Sequence, residues 1–221
     1  VTSSLNNQTA GLYTCNITDA NGCTSTESIT ITQPTVLSTT TSQTNITCNG
    51  GNNGIAEIMP MGGTTPYAYA WDHSTDNVSS FNDLTFGTYQ CTITDGNGCE
   101  TTASFIITEP SAISASNNVI EPLCNGGTAE ATVTATGGTG NLSYNWSNGT
   151  NTASDNNLLA GTYSVVITDD NGCSYSTSIT VNEPTAVQMT ITTTNPLCNS
   201  GDGSASVTAI GGTGAYSYDW S

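Results

Sequence analysis

The stretch Leu84-Thr-Phe-Gly-Thr-Tyr-Gln-Cys-Thr-Ile-Thr-Asp-Gly-Asn-Gly-Cys-Glu-Thr-Thr-Ala-Ser-Phe-Ile-Ile107 decides the fold. Tyr89, Cys91 and Ile93 alternate with Gln90, Thr92 and Thr94. That period of two puts successive side chains on opposite faces of a strand. Asp95-Gly-Asn-Gly98 then turns the chain, because Gly and Asn tolerate the positive φ that a hairpin requires. A second strand follows, with Phe105 and Ile107 on one face. Upstream, Tyr67, Tyr69 and Trp71 alternate with Ala68 and Ala70, a further strand with its aromatic face inward. No segment shows a helical period.

The same pattern returns along the chain. Gly11-Leu-Tyr13 recurs as Gly87-Thr-Tyr89 and Gly161-Thr-Tyr163, and Asn-Gly-Cys triplets end at Cys23, Cys99 and Cys173. Cys-Asn pairs begin at Cys48, Cys124 and Cys198. Gly-Gly-Thr opens at Gly62, Gly137 and Gly211, and a Trp follows each time: Trp71, Trp146, Trp220. Pro34, Pro110 and Pro184 close the units. Self-similarity of this kind marks a tandem repeat, here of about 75 residues. Complete repeats run over 35–110 and 111–184. Residues 1–34 read as the C-terminal half of a repeat (strands E–G), and 185–221 as the N-terminal half of another (strands A–C).

The 221 residues include 17 acidic side chains, one His and no Lys or Arg, a formal charge of −17. An average chain of this length carries about 25 basic residues. Their absence argues against nucleic acid, heparin or anionic membrane as partners, since each is held by Lys and Arg. It also removes cationic clamps and Schiff-base chemistry, so composition argues against an enzyme. With 35% hydrophobic and only 8% charged residues, the chain is not disordered in composition either.

In repeat 35–110 the pattern predicts strand A near 36–47, B near 55–61, C near 66–72, an edge strand near 77–84, F over 87–95 and G over 99–108. The expected fold is all-β: tandem antiparallel sandwiches, immunoglobulin-like or PKD-like, arranged end to end. A Trp on strand C and a Gly-Thr-Tyr entering strand F are similar to the immunoglobulin core Trp and tyrosine corner, without the usual B–F disulfide. Trp71, Trp146, Trp220, Tyr13, Tyr89 and Tyr163 are the expected core, with Trp71, Trp146 and Tyr89 almost fully buried.

The run Cys-Asn-Gly-Gly, Gly-Gly-Thr, Tyr-x-Tyr-x-Trp, Leu-x-x-Gly-Thr-Tyr, Ile-Thr-Asp-x-Asn-Gly-Cys and Ile-Thr-x-Pro resembles the SprB-type repeat of giant surface adhesins in gliding Bacteroidetes. The resemblance covers every period. It implies type IX secretion, extracellular cell-surface display, and roles in adhesion and gliding; it implies no active site. The chain departs from the pattern at Leu84-Thr-Phe-Gly87 and Asn199-Ser-Gly201, and Cys15 and Cys91 are additions. The expectation is a stalk segment of a long adhesin or filament, with neighbouring repeats or adjacent filament subunits as partners. The alternative is a module that binds surface glycans or Ca²⁺ weakly and repeatedly.

Each candidate for chemistry has a plainer reading. Asp95 with Asn97, and Asp169 with Asn171, could offer oxygen ligands to Ca²⁺. Neither loop has the Gly and Glu positions of an EF-hand, and the plainer reading is a turn in which Asp and Asn bond their own backbone. Hence no cofactor is expected, with Ca²⁺ as the alternative. His73 reads as a solvated loop residue. The aromatics Tyr67, Tyr69 and Trp71 read as core before sugar platform. Sequons at Asn7, Asn16, Asn45, Asn77, Asn141, Asn145 and Asn148 matter only where the source cell glycosylates them. Cys15 and Cys91 stand where the third copy has Val165, which makes them small buried hydrophobes.

Topology bears on the other six cysteines. Strand A places Cys48 at the far end of its sandwich, while strands F and G place Cys99 at the near end. About a domain length separates them, too far for a disulfide. In an end-to-end array the far end of one repeat meets the near end of the next. That predicts Cys48–Cys173, with Cys23, Cys99, Cys124 and Cys198 paired outside the chain. A long hairpin folding at Pro110 would instead close Cys23–Cys48, Cys99–Cys124 and Cys173–Cys198. Val1 aligns with Asn77 and Ser221 with Asp72. The expectation is a window of a longer protein; the alternative is that strands A–C of one molecule complete strands E–G of the next.

Overall fold

The structure, a computed structural model, describes residues 3–221. Its described residues form sixteen strands and no helix. They group into two compact units, one of residues 1–45 with 52–108 and one of residues 46–51 with 109–221.

The first unit opens with the hairpin β1 (Gly11–Thr18) and β2 (Thr24–Ile31). It continues through β3 (Ser38–Thr44), β4 (Gly54–Met61), β5 (Ala68–Trp71), β6 (Ser80–Leu84), β7 (Gly87–Thr94) and β8 (Glu100–Ile107). These six strands form two antiparallel sheets, β3-β4-β6 and β5-β7-β8. Each strand presents one face inward, as its period of two requires. Ala56 and Ile58 of β4 and Leu84 of β6 meet Trp71, Cys91, Ile93, Ala103, Phe105 and Ile107 of the other sheet, all buried. This is a two-layer sandwich with three strands in each layer.

The second unit repeats the plan in β9 (Ser114–Ile120), β10 (Ala129–Thr136), β11 (Ser143–Trp146), β12 (Ser154–Leu158), β13 (Gly161–Thr168) and β14 (Ser174–Val181). The sheets are β9-β10-β12 and β11-β13-β14. Its core comprises Ala129, Ala131, Val133, Trp146, Leu158, Val165, Ile167, Ile179 and Val181. The antiparallel pair β15 (Gln188–Thr194) and β16 (Ser204–Ile210) follows.

Two strands expected from the pattern are missing. Among the described residues of 1–34 no edge strand precedes β1, and residues 216–220 form no ladder. In the complete repeats the edge strand pairs with strand B (β4, β10), and strand C pairs with strand F (β7, β13). Neither segment contains the partner that its third strand needs.

Trp71 and Trp146 are buried, and each indole N–H donates to a backbone oxygen, Val78 O and Thr152 O, both at 2.8 Å. Trp220 is 61% exposed, because no sheet lies opposite β15 and β16 to cover it. The tyrosines also differ from expectation. Tyr13, Tyr89 and Tyr163 are half-buried. Their hydroxyls donate to Thr9 O, Thr85 O and Leu159 O, four residues upstream. A tyrosine corner needs its oxygen at the surface end of the sandwich, so the ring cannot be enclosed.

Candidate functional site

The second unit contains a short segment from far back in the chain, residues 46–51. This loop follows β3, and its Cys48 forms a disulfide with Cys173, with Cα atoms 5.6 Å apart. The bond joins the A–B loop of repeat 35–110 to the F–G turn of repeat 111–184. Cys23, Cys99, Cys124 and Cys198 are free thiols, so the hairpin set of pairs is not formed.

Both partners are braced before they meet. In the turn, Asp169 Oδ1 accepts the N–H groups of Asn171 (3.0 Å) and Cys173 (2.9 Å). Asp169 Oδ2 accepts that of Thr139 at 2.8 Å. Gly138, the second Gly of Gly-Gly-Thr, has φ +68°, and a Cβ there would lie 2.9 Å from Asp169 Oδ2. A side chain would therefore strain the backbone and push the carboxylate away. In the loop, Asn49 Nδ2 donates to Pro110 O at 3.0 Å, and Gly50 N donates to Glu109 Oε2 at 2.6 Å. The next copy repeats the latch: Asn125 Nδ2 donates to Pro184 O at 3.0 Å and Gly126 N to Glu183 Oε2 at 2.6 Å. Asn171 Nδ2 then donates to Thr47 O at 3.2 Å across the contact. A groove of about 460 Å³ lies here, lined by Cys48, Pro110, Ile113, Gly138, Asp169 and Cys173 among others.

Repeat 35–110 has the same turn, in which Asp95 accepts from Asn97 N, Cys99 N and Thr64 N at 2.8–2.9 Å. A groove of about 320 Å³ lies beside it, lined in part by Pro34, Val36, Gly63, Asp95 and Cys99. Here Asn97 Nδ2 donates to Thr64 Oγ1 at 2.9 Å, and Cys99 carries a free thiol.

These contacts bear on the Ca²⁺ candidates. In Asp95 and Asp169, Oδ1 takes two backbone N–H groups and Oδ2 takes one. Among the described residues no group of three His, Cys, Asp or Glu side chains could hold a metal ion. The same N–H donors hold both acids below the ordinary carboxylate range. For Asp95 the Cys99 N–H is the main cause; for Asp169 burial raises the value, and the N–H groups of Thr139, Cys173, Asn171 and Gly172 outweigh it. A depressed native pKa gives stability that is present above the unfolded value of about 4 and is lost as pH falls through the native value. The melting temperature is therefore expected to hold from pH 7 to 5 and to fall below pH 4. Asp95→Asn sets an amide NH₂ against Thr64 N–H, so it melts lower at pH 7, and its gap to wild type narrows in acid. A gap that stays constant from pH 7 to 3 would show that this charge does not brace the turn.

The remaining candidates lie apart. Cys91 and Val165 are buried at equivalent positions; burial pushes the Cys91 thiol up, away from thiolate reactivity. Cys15 is exposed, because β1 and β2 have no facing sheet. His73 lies exposed in the bend that follows β5. Its ring packs edge-on to Trp71, Phe81 and Tyr89 at 4.7–5.6 Å, and its Nδ1 lies 3.2 Å from Asp72 Oδ1. The sequon residues Asn45 and Asn77 use their side-chain oxygens to accept the N–H groups of Thr108 and Tyr69.

Reading the sequence missed Glu109 and Glu183 as latches for the Cys-Asn-Gly loop. A signal was there: both stand directly before a repeat-closing proline. It shows no alternation or ligand spacing, so only the contact gives it meaning.

The SprB repeat family model matches residues 40–76, 116–151 and 190–221. Each matched stretch contains a Cys-Asn loop and a strand-C Trp. A search of curated proteins finds no match to the chain.

Proposed function

We propose that this chain, three segments of which match the SprB repeat family model, is a stalk segment of a long extracellular adhesin, displayed on the cell surface and serving adhesion and gliding. One observation carries this reading: a disulfide joins a loop of one repeat to a turn of the next, each held in place by hydrogen bonds that recur from repeat to repeat. Disulfides suit an oxidising, extracytoplasmic setting. The staple bypasses the Pro110 linker, so tension passes through a covalent bond as well as the chain. With no Lys or Arg, the segment offers trypsin-like proteases no cleavage site, and its uniform negative charge discourages lateral association. We read neighbouring repeats as its main partners, and Asp95 and Asp169 as braces of their turns instead of Ca²⁺ ligands. The buried Trp71 and Trp146 argue for a core role over a glycan platform.

Antibodies raised against the chain are expected to label intact cells of the source organism and to keep labelling them after trypsin treatment. Deleting the repeats should reduce attachment to surfaces. Labelling seen only after permeabilisation would overturn the reading.

A further inference from the structure

Asn-Gly pairs recur along the chain, at Asn21, Asn49, Asn53, Asn97, Asn125, Asn148 and Asn171. Such a pair is open to deamidation, because glycine has no Cβ to obstruct its own nitrogen. That nitrogen attacks the asparagine Cγ, and the new N–C bond closes a succinimide ring as the Cγ–Nδ2 bond breaks. Ammonia leaves with the proton from the nitrogen. Water then opens the ring at either carbonyl, giving aspartate or isoaspartate. The sum is amide plus water to acid plus ammonia.

The attack needs a glycine nitrogen that is not already donating its proton elsewhere. In most of these pairs the turn itself prevents it. The N–H groups of Gly22, Gly98, Gly149 and Gly172 donate to Asp19 O, Asp95 O, Trp146 O and Asp169 O, three residues back, at 2.9–3.1 Å. Gly50 and Gly126 are held differently. Their turns close through the next glycine, Gly51 N to Cys48 O and Gly127 N to Cys124 O, both at 3.0 Å, which leaves the Gly50 and Gly126 nitrogens out of the turn bond. Those nitrogens donate instead to Glu109 Oε2 and Glu183 Oε2 at 2.6 Å, carboxylates 59 and 57 residues further along. A Cβ built on either glycine meets nothing within 4 Å, so hydrogen bonds and not packing hold the loop at this point.

We propose that Asn49 and Asn125 are deamidation sites held closed by the carboxylates of Glu109 and Glu183. Each carboxylate occupies the N–H that must be lost, and a nitrogen stripped of its proton there would be an anion facing an anion. The glutamates are positioning residues, acting on asparagine through the glycine nitrogen. The reaction is a one-way unlatching. An acid at position 49 has no N–H to donate to Pro110 O and sets a second negative charge beside Glu109, so the Asn49–Pro110 bond is lost while the disulfide stays. Asn125 and Pro184 O stand in the same relation. The proposal does not rest on the adhesin reading, and its failure would leave that reading standing.

The test incubates the full oxidised chain at mildly alkaline pH in water labelled with heavy oxygen. Peptides from a protease other than trypsin then report label uptake at each asparagine by mass spectrometry. Glu109→Ala should speed the reaction of Asn49 about ten-fold, the scale of one hydrogen bond to a charged group, while Asn97 and Asn125 in the same chain keep their wild-type rates. Glu183→Ala should do the reverse, speeding Asn125 and leaving Asn49 unchanged. Glu109→Gln keeps an oxygen for the Gly50 N–H and should stay near wild type. Asn49 reacting in the folded wild type as fast as in the urea-denatured chain, equal Asn49 rates in wild type and Glu109→Ala, or either alanine variant speeding Asn49 and Asn125 alike would overturn the proposal. So would a Glu109→Gln chain slower than wild type, which would make the carboxylate a base that drives the reaction.

Discussion

Trp146→Ala is expected to cost about 3–5 kcal/mol, the range for truncating a large aromatic in a packed core. The indole lies among Ala131, Val133, Leu158, Val165, Ile167 and Ile179, all at most 2% exposed. Truncation leaves a cavity that flanking strands cannot collapse into without breaking ladder bonds. It also strands Thr152 O, which accepts the indole N–H. Denaturant titration followed by circular dichroism should show a lower midpoint with an unchanged slope. The contrasting substitution is Trp220→Ala, expected to change stability by less than about 0.5 kcal/mol because the side chain is mostly in solvent. A loss below about 1 kcal/mol for Trp146→Ala would mean that the aromatic face is not core.

The second large effect concerns the staple. Cys48→Ser together with Cys173→Ser opens a loop of 125 residues in the unfolded chain. The loop-entropy relation puts the loss near 4–5 kcal/mol. Pulling the oxidised chain from its two ends gives a more direct measure. The residues between the two sulfurs should stay out of the extension until reductant is added, and their release then lengthens the chain by roughly 410–450 Å. An extension that is the same with and without reductant would show that the bond is not formed in solution. In the folded double mutant, before any load or denaturant, the contacts of Asn49 with Pro110 and of Gly50 with Glu109 should keep the loop near its own linker, since neither involves sulfur.

Much of this molecule is legible in its residues. The alternation of Tyr89, Cys91 and Ile93, the Asp95–Gly98 turn and the facing Phe105 and Ile107 define β7 and β8, because a period of two has one structural solution when one face must be buried. Repetition of these markers sets the number of sandwiches, and the lack of Lys and Arg excludes whole classes of partner before any fold is drawn. Periodicity tells which face of a strand is apolar. It does not tell whether a sheet lies opposite, and so Trp146 and Trp220, alike in sequence context, end at 2% and 61% exposure. Nor does it show which loop approaches which. The three-dimensional arrangement alone makes Glu109 a latch, gives Gly138 a carboxylate neighbour too close for any side chain, half-exposes Tyr89 to serve a corner, and sets Cys173 beside a loop from 125 residues earlier. These outcomes depend on distances between segments remote in sequence, which packing decides and local pattern does not encode.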